Sequence, residues 1–406
     1  MRSLSLSLVS LRRAYADGVR VEDVVNEVLR RMDAYEDKAV WIARADRDNL
    51  LARARELDAM SPEVRCRQPL FGAVFAVKDN IDVAGLPTSA ACPAYSYHPV
   101  ESAEVVKHLV AAGAIVLGKT NLDQFATGLV GTRSPHGAPR SVFNAEYISG
   151  GSSSGSAVAV AAGLASFALG TDTAGSGRVP AAFNNIVGLK PSKGLLSTRG
   201  VVPACRSLDC VSIFALNTED AEAVFRQAAV FDPLDSYSRA LMPSDPVVAG
   251  APFTFAAPRA ADLQFFGDSE AERLFGEAIT RLEDLGGRAR RIDFSPFREA
   301  ANLLYEGPWV AERTAAIGKF IDANIKDVDP VVAGIIQGGR KRTSVETFEA
   351  FHRLQALRRT ISTIMSDIDV LVVPTAPTIY RVSDVLAEPV KLNSRLGTYT
   401  NFMNLA

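Results

Sequence analysis

The chain has 406 residues, 48% of them apolar and 22% charged, which is typical of a globular protein and enough for one large core or two domains. Its 44 basic and 46 acidic residues give a formal charge of −2, which argues against an electrostatic nucleic-acid-binding surface. No stretch reaches the roughly 18 consecutive apolar residues that a membrane span needs, so we expect no membrane association.

Residues 1–60 form the first predicted unit, a helical N-terminal segment. Apolar residues such as Val21, Val25 and Val28 recur at the three- and four-residue spacing of an amphipathic helix. We therefore predict helix over residues 4–57.

From residue 70 onward, short apolar runs alternate with helical stretches. The predicted elements are strands at 74–77, 114–117 and 167–169 and helices at 102–112 and 156–165. Alternation of strands and helices predicts an α/β fold with a largely buried sheet.

A later region repeats this pattern. Its predicted elements are strands at 253–256, 289–292 and 370–373 and a helix at 269–285. The final residues, 398–406, are predicted to be helical without a stop signal, which suggests that more chain follows. We expect a single domain over 1–406, with residues 231–252 as a seam rather than a boundary.

Cysteines and histidines are sparse. The four cysteines show no CxxC spacing and the four histidines no HExxH spacing. We expect a reducing, cytoplasmic location, no metal and no cofactor.

A Gly/Ser-rich stretch, residues 147–156, precedes an Ala/Val-rich helix. Alone, such a stretch indicates a flexible linker. Between two apolar segments, we interpret it as a turn whose free N–H groups and helix dipole suit a phosphate or a developing oxyanion. The phosphate alternative lacks the GxxxxGK[ST] motif. The nearest candidate, residues 334–343, has Arg340 where the lysine belongs, so nucleotide binding is disfavoured.

The second unusual segment, residues 170–180, follows a predicted strand. Its small residues allow several backbone N–H groups to converge on one oxygen, so that Ser176 would stand within its own oxyanion hole. The amides concerned are those of Thr173, Ala174, Gly175 and Ser176. The alternative is an ordinary turn with an exposed serine.

Together the two segments resemble the signature of the amidase signature family, in residues 150–153, 175–180 and 188–191, and residues 77–82 resemble its lysine segment. The resemblance implies a large mixed β-sheet sandwiched between helices, and we expect a homodimer. It makes Ser176 the nucleophile, Ser152 the bridging serine that follows a cis peptide bond, and Lys78 the base.

The proposed base must be neutral to accept a proton, so the pKa of Lys78 must fall from about 10.4 by roughly 3 units. Burial on the apolar strand at 74–77 can cause such a fall. Strand alternation should turn Asp79 away from Lys78. We interpret Asp172 as a brace of the loop, and Arg178 either as a brace or as a ligand for a substrate carboxylate.

Within the family, residues 147–157 and 128–135 are most similar to allophanate hydrolases. This similarity implies a small anionic amide as substrate, with Tyr305 and Arg313 holding its carboxylate and Gly128 and Gly131 lining the site. The alternatives are another small-amide hydrolase, such as one acting on malonamate, or an amidotransferase-type subunit. Val179 argues against the latter, because such subunits usually have glutamine at that position.

Overall fold

The computed structural model describes residues 4–242 and 250–406. Within these residues the chain forms two β-sheets surrounded by helices. The strands are β1 (Trp41–Arg44), β2 (Val74–Lys78), β3 (Ile115–Thr120), β4 (Phe167–Asp172), β5 (Val187–Leu189), β6 (Cys210–Ala215), β7 (Phe253–Pro258), β8 (Gly287–Ile292) and β9 (Val370–Leu371).

The helices lie before, between and after these strands. They are α1 (Leu8–Ala16), α2 (Val21–Ala34), α3 (Arg47–Asp58), α4 (Pro62–Arg65), α5 (Glu104–Ala111), α6 (Ser154–Ala161), α7 (Val179–Phe183), α8 (Thr218–Ala228), α9 (Ser269–Asp284), α10 (Ser295–Tyr305), α11 (Trp309–Ala323), α12 (Pro330–Gly338), α13 (Ser344–Ile364), α14 (Val382–Ala387) and α15 (Lys391–Leu396). None of the helices in the described residues is long and apolar enough to cross a membrane.

The larger sheet is mixed, with the strand order β1-β3-β2-β4-β6-β5. Strand β2 runs parallel to β3 and β4, and β6 runs antiparallel to β4 and β5. Every residue of β2, β4 and β6 is buried, so both faces of the sheet are covered. This confirms the predicted α/β fold with a large mixed sheet between helices.

A second, smaller sheet has the order β8-β7-β9 and is entirely parallel. Helix α9 connects β7 to β8, as parallel neighbours require a crossover. The three strands and the helix predicted for this region all form, although β9 is shorter than the predicted strand at 370–373. The separate sheet was not predicted, because strand partners are set by tertiary contacts that the apolar pattern does not encode.

Two helix predictions were wrong. Residues 41–44 form strand β1 at the edge of the larger sheet, where pairing with β3 overrides the local helical pattern. Residues 397–405 form consecutive turns, because the packing of Tyr399, Phe402 and Leu405 into a core with α10 and α13 overrides the local helical pattern. Residues 1–3 of the predicted helical segment and 243–249 of the predicted seam lie outside the described residues.

Candidate active site

Lys78 is the last residue of β2, the strand that pairs with β3 on one side and β4 on the other. Its side chain is completely buried. The Nζ atom lies 2.7 Å from Ser152 Oγ and 2.8 Å from Thr171 Oγ1. The structure therefore brings the predicted base into direct contact with the predicted bridging serine.

Thr171 was not identified from the sequence. It lies in β4, and its hydroxyl oxygen also accepts a hydrogen bond of 3.2 Å from Asn80 Nδ2. This contact fixes the hydroxyl that holds the lysine amine beside Ser152. A threonine within an apolar strand carries no local signal of such a role, so only the pairing of the strands reveals it.

Burial lowers the pKa of Lys78 to about 7, although Asp123, Asp172 and Asp209 act in the opposite direction. Asp79, the next residue, turns away: it lies 3.1 Å from Lys119 Nζ and accepts hydrogen bonds from Ser89. The adjacent carboxylate is thus paired elsewhere. At neutral pH a substantial fraction of the Lys78 amine is neutral and able to accept a proton.

We expect kcat/KM for amide hydrolysis to rise with pH through about 7 and then to level off. The protonated amine of Lys78 cannot act as a base, and the pKa of this group in the folded protein is about 7. The measurement is a pH–rate profile at low substrate concentration, with protein stability checked at each pH. An acid limb centred near the ordinary lysine pKa of about 10.4 would contradict this account.

The loop before α6 is held close to Asp123. One carboxylate oxygen of Asp123 accepts hydrogen bonds from the amides of Val130 and Gly131, and the other accepts one from the amide of Arg133. A Cβ atom on Gly151 would collide with this carboxylate, so only glycine fits there. The peptide bond that follows Gly151 is cis, as the resemblance implied. Gly131, expected to line the substrate site, donates its amide hydrogen to Asp123 and thus braces the loop.

Ser176 lies in the second loop, almost completely buried. Its Oγ donates a hydrogen bond of 3.3 Å to the carbonyl oxygen of Gly128, and its own carbonyl oxygen accepts one of 3.4 Å from the amide of Ser153. The two predicted serine loops are therefore in direct contact, and Gly128 borders the predicted nucleophile.

Asp172 braces the loop that carries Ser176. Its carboxylate accepts hydrogen bonds from the amides of Gly175 and Gly177 and forms a two-point ion pair with the Arg178 guanidinium. Burial acts to raise the pKa of Asp172, but Arg178 holds it below the usual value. Arg178 also donates to Thr400 O and Asn404 Oδ1. Both residues therefore brace the loop. The guanidinium nitrogens of Arg178 are already hydrogen-bonded to other residues of the protein.

The predicted oxyanion hole needs one correction. The amide of Gly175 donates a hydrogen bond of 2.9 Å to Asp172 Oδ1, so it is already engaged within the protein. In the described parts of the chain, the amides of Thr173, Ala174 and Ser176 have no acceptor. Gly175 instead contributes its conformation, with φ of 142°, and a close approach to Thr400 that a Cβ atom would block. Three amides are thus available for an oxyanion.

Tyr305, at the end of α10, and Arg313, in α11, come together as predicted from the resemblance. The Arg313 guanidinium lies over the Tyr305 ring, 5.7 Å from its centroid, and Arg313 is only 2% exposed. Its Nη1 donates a hydrogen bond of 3.0 Å to Thr127 Oγ1. Because Thr127 precedes Gly128, Arg313 and Ser176 contact consecutive residues of one loop.

Asp209 is a second buried residue that sequence reasoning missed. Its Oδ1 accepts a hydrogen bond of 2.5 Å from Thr173 Oγ1, and its carboxylate also accepts from the amides of Ala204 and Cys205. Burial raises the pKa of Asp209. This carboxylate fixes the first residue of the predicted oxyanion loop.

Comparison with known proteins gives a consistent result. A family model described as Amidase matches residues 23–406. The urea amidolyase of Saccharomyces cerevisiae is 49% identical over 369 residues, which are 90% of this chain and 20% of that protein. A glutamyl-tRNA(Gln) amidotransferase subunit from Geobacillus thermodenitrificans is 30% identical over 92% of this chain and 83% of its own length.

Among solved structures, the allophanate hydrolase of Kluyveromyces lactis superposes with a TM-score of 0.92 and 44% identity, covering 98% of this chain and 66% of that protein. The chain spans about a fifth of the length of the first curated relatives that it matches. Similarity at this level extends over nearly the whole chain and includes both serine loops.

Proposed function

The chain belongs to the amidase family, and on that premise we propose that it hydrolyses allophanate, a small anionic amide, with release of ammonia. In this proposal Ser176 is the nucleophile, Ser152 the bridging serine and Lys78 the base. Relatives named urea amidolyase and allophanate hydrolase support the choice of substrate.

The environment of Arg313 is the main reason to propose an anionic substrate. A buried guanidinium normally has a carboxylate partner, because an unpaired charge is costly to remove from water. Arg313 forms no direct ion pair with any described residue; its contacts are a threonine hydroxyl and the face of a tyrosine ring, and the buried carboxylate of Asp209 interacts with it only at longer range. A substrate carboxylate would supply the direct, hydrogen-bonded anionic partner that Arg313 lacks, beside the loop that contacts Ser176.

The reaction proceeds by proton relay. Neutral Lys78 accepts the proton of Ser152, Ser152 accepts the proton of Ser176, and Ser176 Oγ attacks the terminal amide carbon. The amides of Thr173, Ala174 and Ser176 stabilise the oxyanion. The relay then returns a proton to the leaving nitrogen, and ammonia departs. Water, activated by the same relay, hydrolyses the acyl-serine to a carboxylated carbamate.

Ammonia release from a panel of amides tests the proposed substrate. Allophanate, malonamate, biuret and a neutral aryl amide differ in charge and in the group that flanks the amide. We expect the highest kcat/KM with allophanate. A clear preference for malonamate would support the alternative of a different small-amide hydrolase, and a preference for the neutral amide would overturn the anionic substrate class.

Replacing Arg313 with alanine is expected to raise KM for allophanate roughly 10- to 100-fold, because a charge-assisted pair contributes roughly 1.5–3 kcal/mol. KM for the neutral aryl amide should change far less. The measurement is steady-state kinetics of both substrates with the wild type and the variant. Equal effects on both substrates would refute the carboxylate-binding role.

The amidotransferase alternative rests on relatives such as the Geobacillus protein. A chain of that kind would depend on partner proteins and release little ammonia alone. The contact between Lys78 and Ser152 and the low pKa of Lys78 argue against a non-catalytic subunit, and Val179 argues against the amidotransferase type. The homodimer and the cytoplasmic location stay predictions.

A further inference from the structure

A cavity of about 290 Å³ lies beside the predicted carboxylate-binding pair, which is close to the lower limit of ordinary ligand pockets, roughly 300 Å³. Its lining includes Arg133, Tyr305, Arg342 and Asn393. None of the ten residues that line it is acidic, and two are arginines. We call this space the arginine cavity.

The walls of the arginine cavity rest on the loop that borders Ser176. Arg133 Nη1 donates a hydrogen bond of 2.9 Å to Thr127 O, and Asn393 Oδ1 accepts one of 2.8 Å from the amide of Leu129. Thr127 also accepts from Arg313, and Gly128 accepts from Ser176. Residues lining the cavity and residues of the predicted catalytic site therefore contact the same three consecutive residues, 127–129.

Tyr305 is shared by the two spaces. Its side chain lines the arginine cavity, and its ring face contacts the Arg313 guanidinium. The side chain of Tyr305 thus lies between the cavity and the Arg313 guanidinium. Tyr305 is therefore the side chain that a ligand in the cavity would have to pass to reach Arg313, and side-chain rotations are rapid.

The two arginines of the arginine cavity form no ion pair with the described residues, although Glu346 lies close enough to Arg342 to interact with its charge. Arg133 donates from both terminal nitrogens to backbone carbonyl oxygens, those of Thr127 and Pro389. Arg342 forms no ion pair with the described residues. The nearby carboxylate of Glu346 is engaged by Thr343, in the capping box that begins α13. Arg342 is thus a cation of the cavity lining without a direct carboxylate contact among the described residues, and the lining itself contains no carboxylate.

We propose that the arginine cavity is an anion-binding antechamber, in which the carboxylate of the substrate is held before it passes Tyr305 to reach Arg313. This inference rests on the proposed function, because it assumes an anionic amide. Positive charge concentrated in a cleft raises the local concentration of anions and the rate of their capture. Arg342, the partly exposed arginine, contacts the anion, and buried Arg133 forms part of the wall through its hydrogen bonds to Thr127 and Pro389.

The test compares Arg342→Gln and Arg342→Glu with the wild type. Because charge in a cleft changes association by 10-fold or more, we expect the ratio of kcat/KM for allophanate to that for a neutral aryl amide to fall about 10-fold in Arg342→Gln, and further in Arg342→Glu. Added salt should reduce the ratio in the wild type and have a smaller effect in the variants. Arg342 is partly exposed, so both variants should fold, which a thermal melt checks.

The matched control is Arg359→Gln, which removes the same charge from an exposed position on α13 outside the cavity lining. It should keep the wild-type ratio and salt dependence. If Arg342→Gln behaves like Arg359→Gln while Arg313→Ala still raises KM selectively for allophanate, the antechamber is refuted and the proposed function stands. If the wild type itself does not prefer the anionic amide, the proposed function fails.

Discussion

Replacing Ser176 with alanine is expected to lower kcat for allophanate hydrolysis by about 10⁴-fold or more, because removal of a nucleophile stops the covalent route. The change deletes one oxygen atom whose hydrogen bond is a long one, 3.3 Å to Gly128 O. The fold should therefore persist, with a melting temperature close to that of the wild type. The measurements are ammonia release and a thermal melt.

Ser149→Ala is the matched control for this variant. Ser149 is also a completely buried serine of the neighbouring Gly/Ser-rich loop, but its Oγ bonds only to the adjacent Gly150 carbonyl oxygen. Its loss should reduce kcat by less than about 10-fold, since a single neutral hydrogen bond contributes roughly 1 kcal/mol. Substantial turnover by Ser176→Ala, or equal losses in both variants, would rule out Ser176 as the nucleophile.

Replacing Lys78 with methionine should lower kcat by about 10³-fold or more, because the relay then has no terminal base. Methionine matches the length of the lysine stem and has no group to protonate, so it fills the buried site. The measurements are again kcat for allophanate and a thermal melt, here at several pH values.

The same substitution should stabilise the protein. The pKa of Lys78 falls from 10.5 to about 7 on folding, so the amine opposes folding. This cost is fully present below pH 7 and disappears as pH rises to about 10.5. Lys78→Met should therefore melt at a higher temperature than the wild type near neutral pH, and the difference should shrink toward pH 10.5. A lower melting temperature with retained turnover would overturn the assignment of Lys78.

The sequence was sufficient to predict the strands that carry the site. The apolar run before Lys78 and the run before the Ser176 loop are buried on both faces of the sheet, and such runs can be recognised without knowledge of their partners. Strand β1 was missed because its pairing with β3 is a contact between distant parts of the chain. The turns at the C-terminal end were missed for the same reason, since Tyr399 and Phe402 pack into a core formed with α10 and α13.

The site residues, like the strands, could be predicted where the signal is local and not where it depends on contacts between distant parts of the chain. Residues in the signature segments could be named from the resemblance. Thr171, Thr127 and Asp209 could not, because each acts through a hydrogen bond to a residue far away in sequence or in another element. The hydrogen bond of the Gly175 amide could not be predicted either, since it depends on the side-chain orientation of Asp172.

The supporting contacts of the Ser176 loop explain why the C-terminal turns matter for the site. Asn404 Nδ2 donates to the carbonyl oxygens of Asp172 and Leu208, and its Oδ1 accepts from Arg178. Thr400 O accepts a further bond from Arg178. Residues 400 and 404 therefore brace the loop that carries Ser176, the proposed nucleophile.

The most direct test of the central claim, that Ser176 is the nucleophile of an allophanate-hydrolysing amidase, is covalent labelling. A fluorophosphonate reagent reacts with activated serine hydroxyls, and peptide mass spectrometry locates the label. We predict one label per chain, on Ser176, with ammonia release from allophanate lost in proportion to labelling and no label in Lys78→Met. A label on Ser152 with Ser176 unmodified, or full labelling with undiminished ammonia release, would contradict the account.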